Sequence, residues 1–360
     1  MKNAKKILAF MIVFAVISGM LAGCAQSSGS ENAVNDKTYK LSYQCSWASS
    51  ALLKYASDLS AAIVSCSGGR VTMDCMPANS VVSSVDLLDA VASRTLDCAQ
   101  TAATYFPDDS LGILSTLPIG MSFDEYMGWY ISGEGQQILD EVMMEINPNV
   151  VAIPCGIVDS EILYHSIVPI SKLDDIKGLK IRGVSDWAAI QTKLGAAVVN
   201  IDGGECYEAL SRGTIDACEY SGPSANWSAG FHEVCPYLTV PGIHQSTATY
   251  LLLINRGVWE GLDEQIQNII KLACTAMMAK IWSDDRVASA EAWNRYKELE
   301  AQGKLTIYRL SDEDIATIES EARKHFEEKS ANNPLFAKIY NSQVAYTELV
   351  RSWSEAVAWN

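Results

Sequence analysis

Residues 203–223 read "GGECYEALSRGTIDACEYSGP", and the core of that stretch has an echo earlier in the chain. Residues 208–219, "EALSRGTIDACE", align without gaps with residues 89–100, "DAVASRTLDCAQ". Ala209 falls on Ala90, Leu210 on Val91, Thr214 on Thr95, Ile215 on Leu96 and Asp216 on Asp97. Each copy reads as the end of an amphipathic helix, a tight turn and a short apolar strand. A polar residue closes each strand, Gln100 in one copy and Glu219 in the other. Two such units half a chain apart imply two similar α/β lobes. In open α/β sheets ligands sit beyond the carboxyl ends of the strands. Gln100 and Glu219, with their neighbours Tyr105 and Tyr220, are therefore candidates to face each other across an interdomain cleft.

Working outward, "YKLSYQCSW" (39–47) predicts a first strand, 49–66 an amphipathic helix ending at Gly68-Gly69, and 71–76 a second strand. Helical stretches follow at 83–93 and 123–146, with a strand over 96–105 between them. Residues 150–156, 161–166 and 250–255 are strand-like. From Asp263 to Gln302 there is no Gly and no Pro, a capping Asp opens the segment and Gly303 closes it. A continuous helix of that length would measure about 60 Å, more than one domain's diameter. It should cross both lobes as a spine or break at "SDD" (283–285). Two further helices, 312–330 and 334–357, finish the chain.

The N-terminus addresses the chain. "MKNAKKILAFMIVFAVISGMLAGC" carries lysines 2, 5 and 6, an apolar run, and small residues ending at Cys24. The run is short for a membrane span, which needs about 20 apolar residues, and has the shape of a secretion signal. "LAGC" resembles the lipobox of bacterial lipoproteins, which implies lipidation at Cys24 and an extracytoplasmic, lipid-anchored location; an ordinary cleaved signal or an uncleaved anchor are the alternatives. Residues 25–38 are polar and aperiodic and read as a flexible tether. The remainder, about 320 residues, suits two domains.

With 27 Lys+Arg against 43 Asp+Glu the formal net charge is −16, which argues against a nucleic-acid partner. None of the ten cysteines forms a CxxC pair, so a zinc ribbon and a thioredoxin-like motif are absent. Cys66, Cys98, Cys155 and Cys218 sit in apolar runs and read as buried free thiols. No GxSxG or P-loop spacing occurs, "HEVCP" (232–236) is not HExxH, and "GEGQQI" (133–138) lacks the third glycine of a dinucleotide fingerprint. Nothing here calls for an enzyme.

Arg182, in "LKIRG" (179–183), is an arginine beside a glycine at a strand end in an acidic chain. It is a structural salt bridge, a solvated strand end, or a two-pronged clamp for a ligand carboxylate. "KLDDIKGLKIRG" (172–183), "KLGAAVV" (193–199), "GGECYEALSRGTIDACEYSGP" and "PIGMSFDEYMGWYISGEGQQIL" (118–139) resemble the DctP-type solute-binding proteins of TRAP transporters, most closely the branch that binds 2-oxo acids and related monocarboxylates. The resemblance runs from about residue 39 to the long helix. It implies a two-lobed, type II-like periplasmic-binding fold with an interdomain cleft, crossing strands and a long helix spanning both lobes. Lobe I would comprise mainly 39–160 with part of 215–255, lobe II mainly 161–250, then the spanning helix 263–302 and C-terminal helices 303–360.

The same resemblance implies that Arg182 grips the substrate carboxylate, that Tyr105 lies near it, and that His244 in "PGIHQST" lies where the chain returns to the cleft, as a hydrogen-bond partner of the ligand or a structural histidine. It places a metal ion beside the carboxylate, held by Glu219, the main-chain carbonyl of Tyr220, and a residue that falls on Glu161 where the family has glutamine. Two carboxylates beside one arginine leave the site at −1 before a ligand enters, a costly burial unless a cation joins. Glu161 and Glu219 would hold Ca²⁺ or Na⁺, or accept a substrate ammonium; a protonated or solvent-facing Glu161 is the remaining alternative. Trp47 and Tyr220 would wall the pocket or belong to the core. The implied partners are a small organic acid and TRAP membrane permease subunits, with a homodimer open; an amine-bearing solute or an ABC-type uptake system is the rival reading.

Overall fold

The structure is a computed structural model that describes residues 37–48 and 50–357. The leader, Cys24 and most of the tether lie outside the described residues. From Tyr39 onward the chain forms one compact unit built on two mixed sheets. The first sheet has the strand order Cys75–Met76, Tyr43–Cys45, Cys98–Thr101, Ala248–Asn255, Val150–Val158. The second runs Thr306–Arg309, Tyr237–Val240, Tyr164–Ser166, Ala217–Cys218, Lys180–Arg182, Ala197–Val199. Among the described residues no helix is long and apolar enough to cross a membrane.

Two segments pass from sheet to sheet side by side. The strand Val150–Val158 of the first sheet leads through Asp159–Leu163 to Tyr164–Ser166 of the second. Tyr237–Val240 of the second returns through 241–247 to Ala248–Asn255 of the first. They touch at a bridge between Glu161 and Gly242, and the Thr247 hydroxyl donates to the Val158 carbonyl at 2.6 Å. Gly242 is required there, since a Cβ would lie 2.0 Å from the Glu161 carbonyl oxygen.

The long helix is Glu264–Ala301, continuous through Ser283-Asp284-Asp285, with the Asp263 side chain accepting from the Ile266 amide at 3.1 Å. At 1.5 Å per residue it is about 57 Å long. Its first half buries Ile266, Ile270, Cys274, Met277 and Ile281 with the first sheet, and its second half buries Tyr296 with Ile162, Leu238 and Leu305. Each such side chain is worth about 1.5–3 kcal/mol. The expected weak point does not break because Asp285 faces inward. It accepts hydrogen bonds from the Tyr55 hydroxyl at 2.8 Å, the Asp159 amide at 2.9 Å and the Ser224 hydroxyl at 3.2 Å.

The C-terminal helices Asp312–Asn332 and Pro334–Val357 divide between the halves. In the first, His325 and Lys329 reach Asp186 at 2.8 and 2.6 Å, beside Arg182's strand. In the second, Arg351 pairs with Glu125 at 2.6 and 2.9 Å, and Gln343 donates to the Ile113 carbonyl at 2.8 Å.

Several boundaries differ from the sequence reading. The expected strands 39–47 and 71–76 are each two short strands, Tyr39–Lys40 with Tyr43–Cys45 and Val71–Thr72 with Cys75–Met76. The helical stretch 123–146 is two helices, Phe123–Ile131 and Gly135–Ile146, because the chain turns tightly over Trp129 at Gly133. Tyr237–Val240 and Thr306–Arg309 are strands the pattern did not announce. All nine described cysteines are free thiols; Cys66 is exposed rather than buried, at the last turn of the helix Ser50–Cys66.

Candidate functional site

Arg182 ends a strand of the second sheet, hydrogen-bonded in register with Cys218 on one side and Val199 on the other. Glu219 follows Cys218 directly. The Arg182 Nη1 lies 2.8 Å from Glu219 Oε2 and donates to the Glu219 main-chain oxygen at 3.0 Å. Its Nε donates to the Ile201 carbonyl at 3.4 Å. The two side chains are 11% and 5% exposed, so the pair is nearly dry. Burial opposes the guanidinium charge, but the Glu219 carboxylate together with Cys206, Cys218 and Tyr105 outweighs it and holds Arg182 above its ordinary range.

Glu161 and His244 come from the two crossing segments. His244 Nε2 lies 2.9 Å from Glu161 Oε2, while Gln245 donates to the other carboxylate oxygen. Burial pushes the Glu161 carboxyl above its ordinary range and Glu219 reinforces that, with His244 and Arg182 pulling the other way. Glu161 therefore faces inward, 8% exposed. One donor atom each from Glu161, Glu219 and His244 lie within 4.8 Å of one another. Glu219 Oε1 and His244 Nδ1 are buried without a hydrogen-bond partner. Two carboxylates and an imidazole converging with an orphaned oxygen is a donor set that fits a metal cation.

The aromatic candidates flank this cluster. The Tyr105 hydroxyl is raised by burial and feels the charges of Arg182, Glu219 and Glu161. Tyr220 is half-buried, its hydroxyl pushed up to about 12 by burial, and its ring stands edge-on to Phe231 at 5.1 Å. A Cβ on Gly203 would lie 2.8 Å from that ring, so "GG" at 203 makes room for the tyrosine. Trp47 packs on Tyr250 at 4.3 Å within the first-half core, with Tyr105 against the same cluster. Gln100 does not join the group. It is fully buried between the Tyr43 hydroxyl, which donates to it at 2.8 Å, and the Cys155 thiol at 3.3 Å. Sequence reasoning missed Gln245 and Trp187, whose ring lies 5.7 Å from that of His244. Gln245 sits beside an already chosen histidine in a segment too irregular for strand alternation to say which way it points.

Two sheets joined by paired crossings, one long helix across both, and an arginine-centred buried site describe a receptor that encloses a small solute. Residues 45–332 match the model of the bacterial extracellular solute-binding protein family 7, DctP. A monocarboxylate 2-oxoacid-binding periplasmic protein of Nostoc sp. is 26% identical over 288 residues, 79% of this chain and 78% of that protein. A TRAP periplasmic solute-binding protein of Colwellia psychrerythraea, solved with bound calcium and pyruvate, superposes with a TM-score of 0.82 at 25% identity, over 89% of this chain and 98% of that one. A TRAP solute-binding protein of Bordetella bronchiseptica, with copurified calcium and picolinate, gives 0.82 at 24% identity over 89% and 95%. The chain belongs to the DctP family of TRAP transporter solute-binding proteins and is a transport protein, not an enzyme.

Proposed function

We propose that this receptor captures a small monocarboxylate, of the 2-oxo-acid class, through the guanidinium of Arg182 and with a cation bridging the carboxylate to Glu161, Glu219 and the Tyr220 main chain. The observation that carries the reading is the nearly dry Arg182–Glu219 pair with Glu219 Oε1 buried and unpartnered beside Glu161 and His244. A buried carboxylate oxygen without a partner is expensive, and a cation bridging it to a ligand carboxylate would satisfy it. The relatives found with pyruvate and calcium support the same class. Tyr105, Tyr220 and Trp47 would enclose the substituent, and exclusion of water would strengthen each ion pair by lowering the local dielectric. The loaded receptor then passes its cargo to TRAP permease subunits, held at the membrane by a lipid on Cys24.

Arg182→Lys tests this directly. An ammonium is a point charge and cannot form the two-pronged contact. Pyruvate at about 100 times its Kd should stabilise the wild-type protein by about 2.7 kcal/mol. The variant should lose that thermal shift, and retained affinity would sink the clamp.

A further inference from the structure

Resting on the reading that this site takes a cation, we propose that the cation is a first-row transition-metal dication and that the imidazole of His244 is one of its protein ligands, beside Glu161 and Glu219. The three residues arrive from three different segments: the outgoing crossing, the returning crossing, and the end of the Ala217–Cys218 strand. Their donor atoms converge within 4.8 Å, and all three side chains are more than nine-tenths buried. Nitrogen and oxygen ligands about 2.0–2.2 Å from one ion sit at separations of that order. A buried Glu219 oxygen is without a hydrogen-bond partner, an independent sign that something else completes the site.

Charge and donor type narrow the ion. Arg182 and two carboxylates sum to −1; a dication with a monocarboxylate ligand brings the enclosed group to neutrality, whereas a monovalent ion leaves −1 buried. An all-oxygen shell suits Ca²⁺ or Mg²⁺, while an imidazole nitrogen suits Zn²⁺, Ni²⁺, Fe²⁺ and their neighbours. The relatives found with calcium or sodium mark the hard-ion choice. In this chain the His244 nitrogen, 2.9 Å from Glu161 Oε2, turns the set toward the softer ions.

The test uses the full chain, stripped with EDTA and kept reduced, titrated calorimetrically with Co²⁺ alone and with Ca²⁺ alone. Cobalt is chosen because the chain's cysteines, nine of them free thiols among the described residues, would compete for zinc, and thiolate ligation would announce itself as a sulfur-to-cobalt charge-transfer band. The expected result is one Co²⁺ per chain, bound at least about 10-fold tighter than Ca²⁺, with visible d–d bands and no thiolate band. His244→Gln should cut Co²⁺ affinity by about 100-fold and leave Ca²⁺ within about threefold, whereas Glu161→Gln should weaken both. Calcium binding as tightly as cobalt, unchanged cobalt affinity in a folded His244→Gln protein, a thiolate spectrum, or no metal binding each overturns the proposal. Thermal shifts with pyruvate in EDTA, run in parallel, keep the two readings apart. A shift abolished by Arg182→Lys but needing no metal removes the ion and keeps the clamp. A metal-independent shift with amino compounds instead makes the two glutamates an ammonium site and overturns the metal.

Discussion

The segments 87–101 and 206–219 follow one backbone course and finish in opposite surroundings. Each follows a 3-10 turn, Ser84–Asp86 or Gly203–Glu205, and begins with a six-residue helix, Leu87–Ala92 or Cys206–Ser211. Both then pass through a left-handed residue, Arg94 at φ +62° and Gly213 at φ +66°. The Thr95 and Thr214 amides donate to the Ala90 and Ala209 carbonyls at 2.8 and 2.9 Å. Asp97 and Asp216 each accept from the amide opening the neighbouring parallel strand, Ser42 and Lys180, at 2.9 and 2.8 Å. Register extends the equivalence outward. Gln44 stands beside Ala99 as Arg182 stands beside Cys218, and Leu253 faces Ala99 where His165 faces Cys218. In the first half the two glutamines are spent on structure: Gln44 ties down Val81 and Val82, and Gln100 is sealed by Tyr43. In the second, the same two places carry the Arg182–Glu219 pair. The repeat therefore dictates a backbone, and the side chains on the adjoining strands decide whether its end becomes core or site.

Exchanging the end residues is the harshest test of that contrast. Gln100→Glu puts a carboxylate where no arginine waits, and an uncompensated buried charge should cost about 3–5 kcal/mol, read from the urea midpoint at neutral pH. A small change would mean that Gln100 is not sealed. His165→Leu copies the first half's apolar neighbour into the second. Burial holds His165 down at about 3, with His232 adding to it. Above pH 6.5 the ring is neutral in both folded and unfolded chains. Below that the unfolded chain takes up a proton the folded one refuses, so stability falls by about 1.4 kcal/mol per pH unit as pH drops towards 3. The variant should lack this component, and its stability relative to wild type should rise steadily from pH 6.5 to 4. Parallel curves would show that His165 titrates normally.

How much of this was written in the sequence follows from what each signal measures. The echo was visible because helix ends, turns and strand alternation are local, and the long helix because absent Gly and Pro and a capping Asp are local too. The meeting of Arg182 and Glu219 follows from adjacent parallel strands. Other features depended on long-range company. Gln100 looked like Glu219 until Tyr43 and Cys155 were in place around it. The strand Thr306–Arg309 exists because it pairs with Tyr237–Val240, and its own residues are only partly buried. His244 and Gln245 acquire their roles from Glu161 on the other crossing, 83 and 84 positions away.

Two gentler exchanges sharpen the comparison. Glu219→Gln, the reverse of the first swap, should be milder than Gln100→Glu, at about 2–3 kcal/mol. Arg182 keeps two main-chain acceptors, on Ile201 and residue 219, and some solvent contact. Equal costs would imply that both ends are equally enclosed. Arg94→Gly gives the first turn the residue its counterpart already has. A non-glycine side chain in the left-handed region costs about 1–2 kcal/mol, while glycine adds back roughly half to one in unfolded-chain entropy. The long 3.6 Å contact of Arg94 with Asp97 is 65% exposed on the arginine side and contributes little. The net expectation is a gain of about 0.5 kcal/mol in chemical denaturation. Destabilisation would instead mean that Arg94 is held in its left-handed turn by something more than the backbone course shared with Gly213.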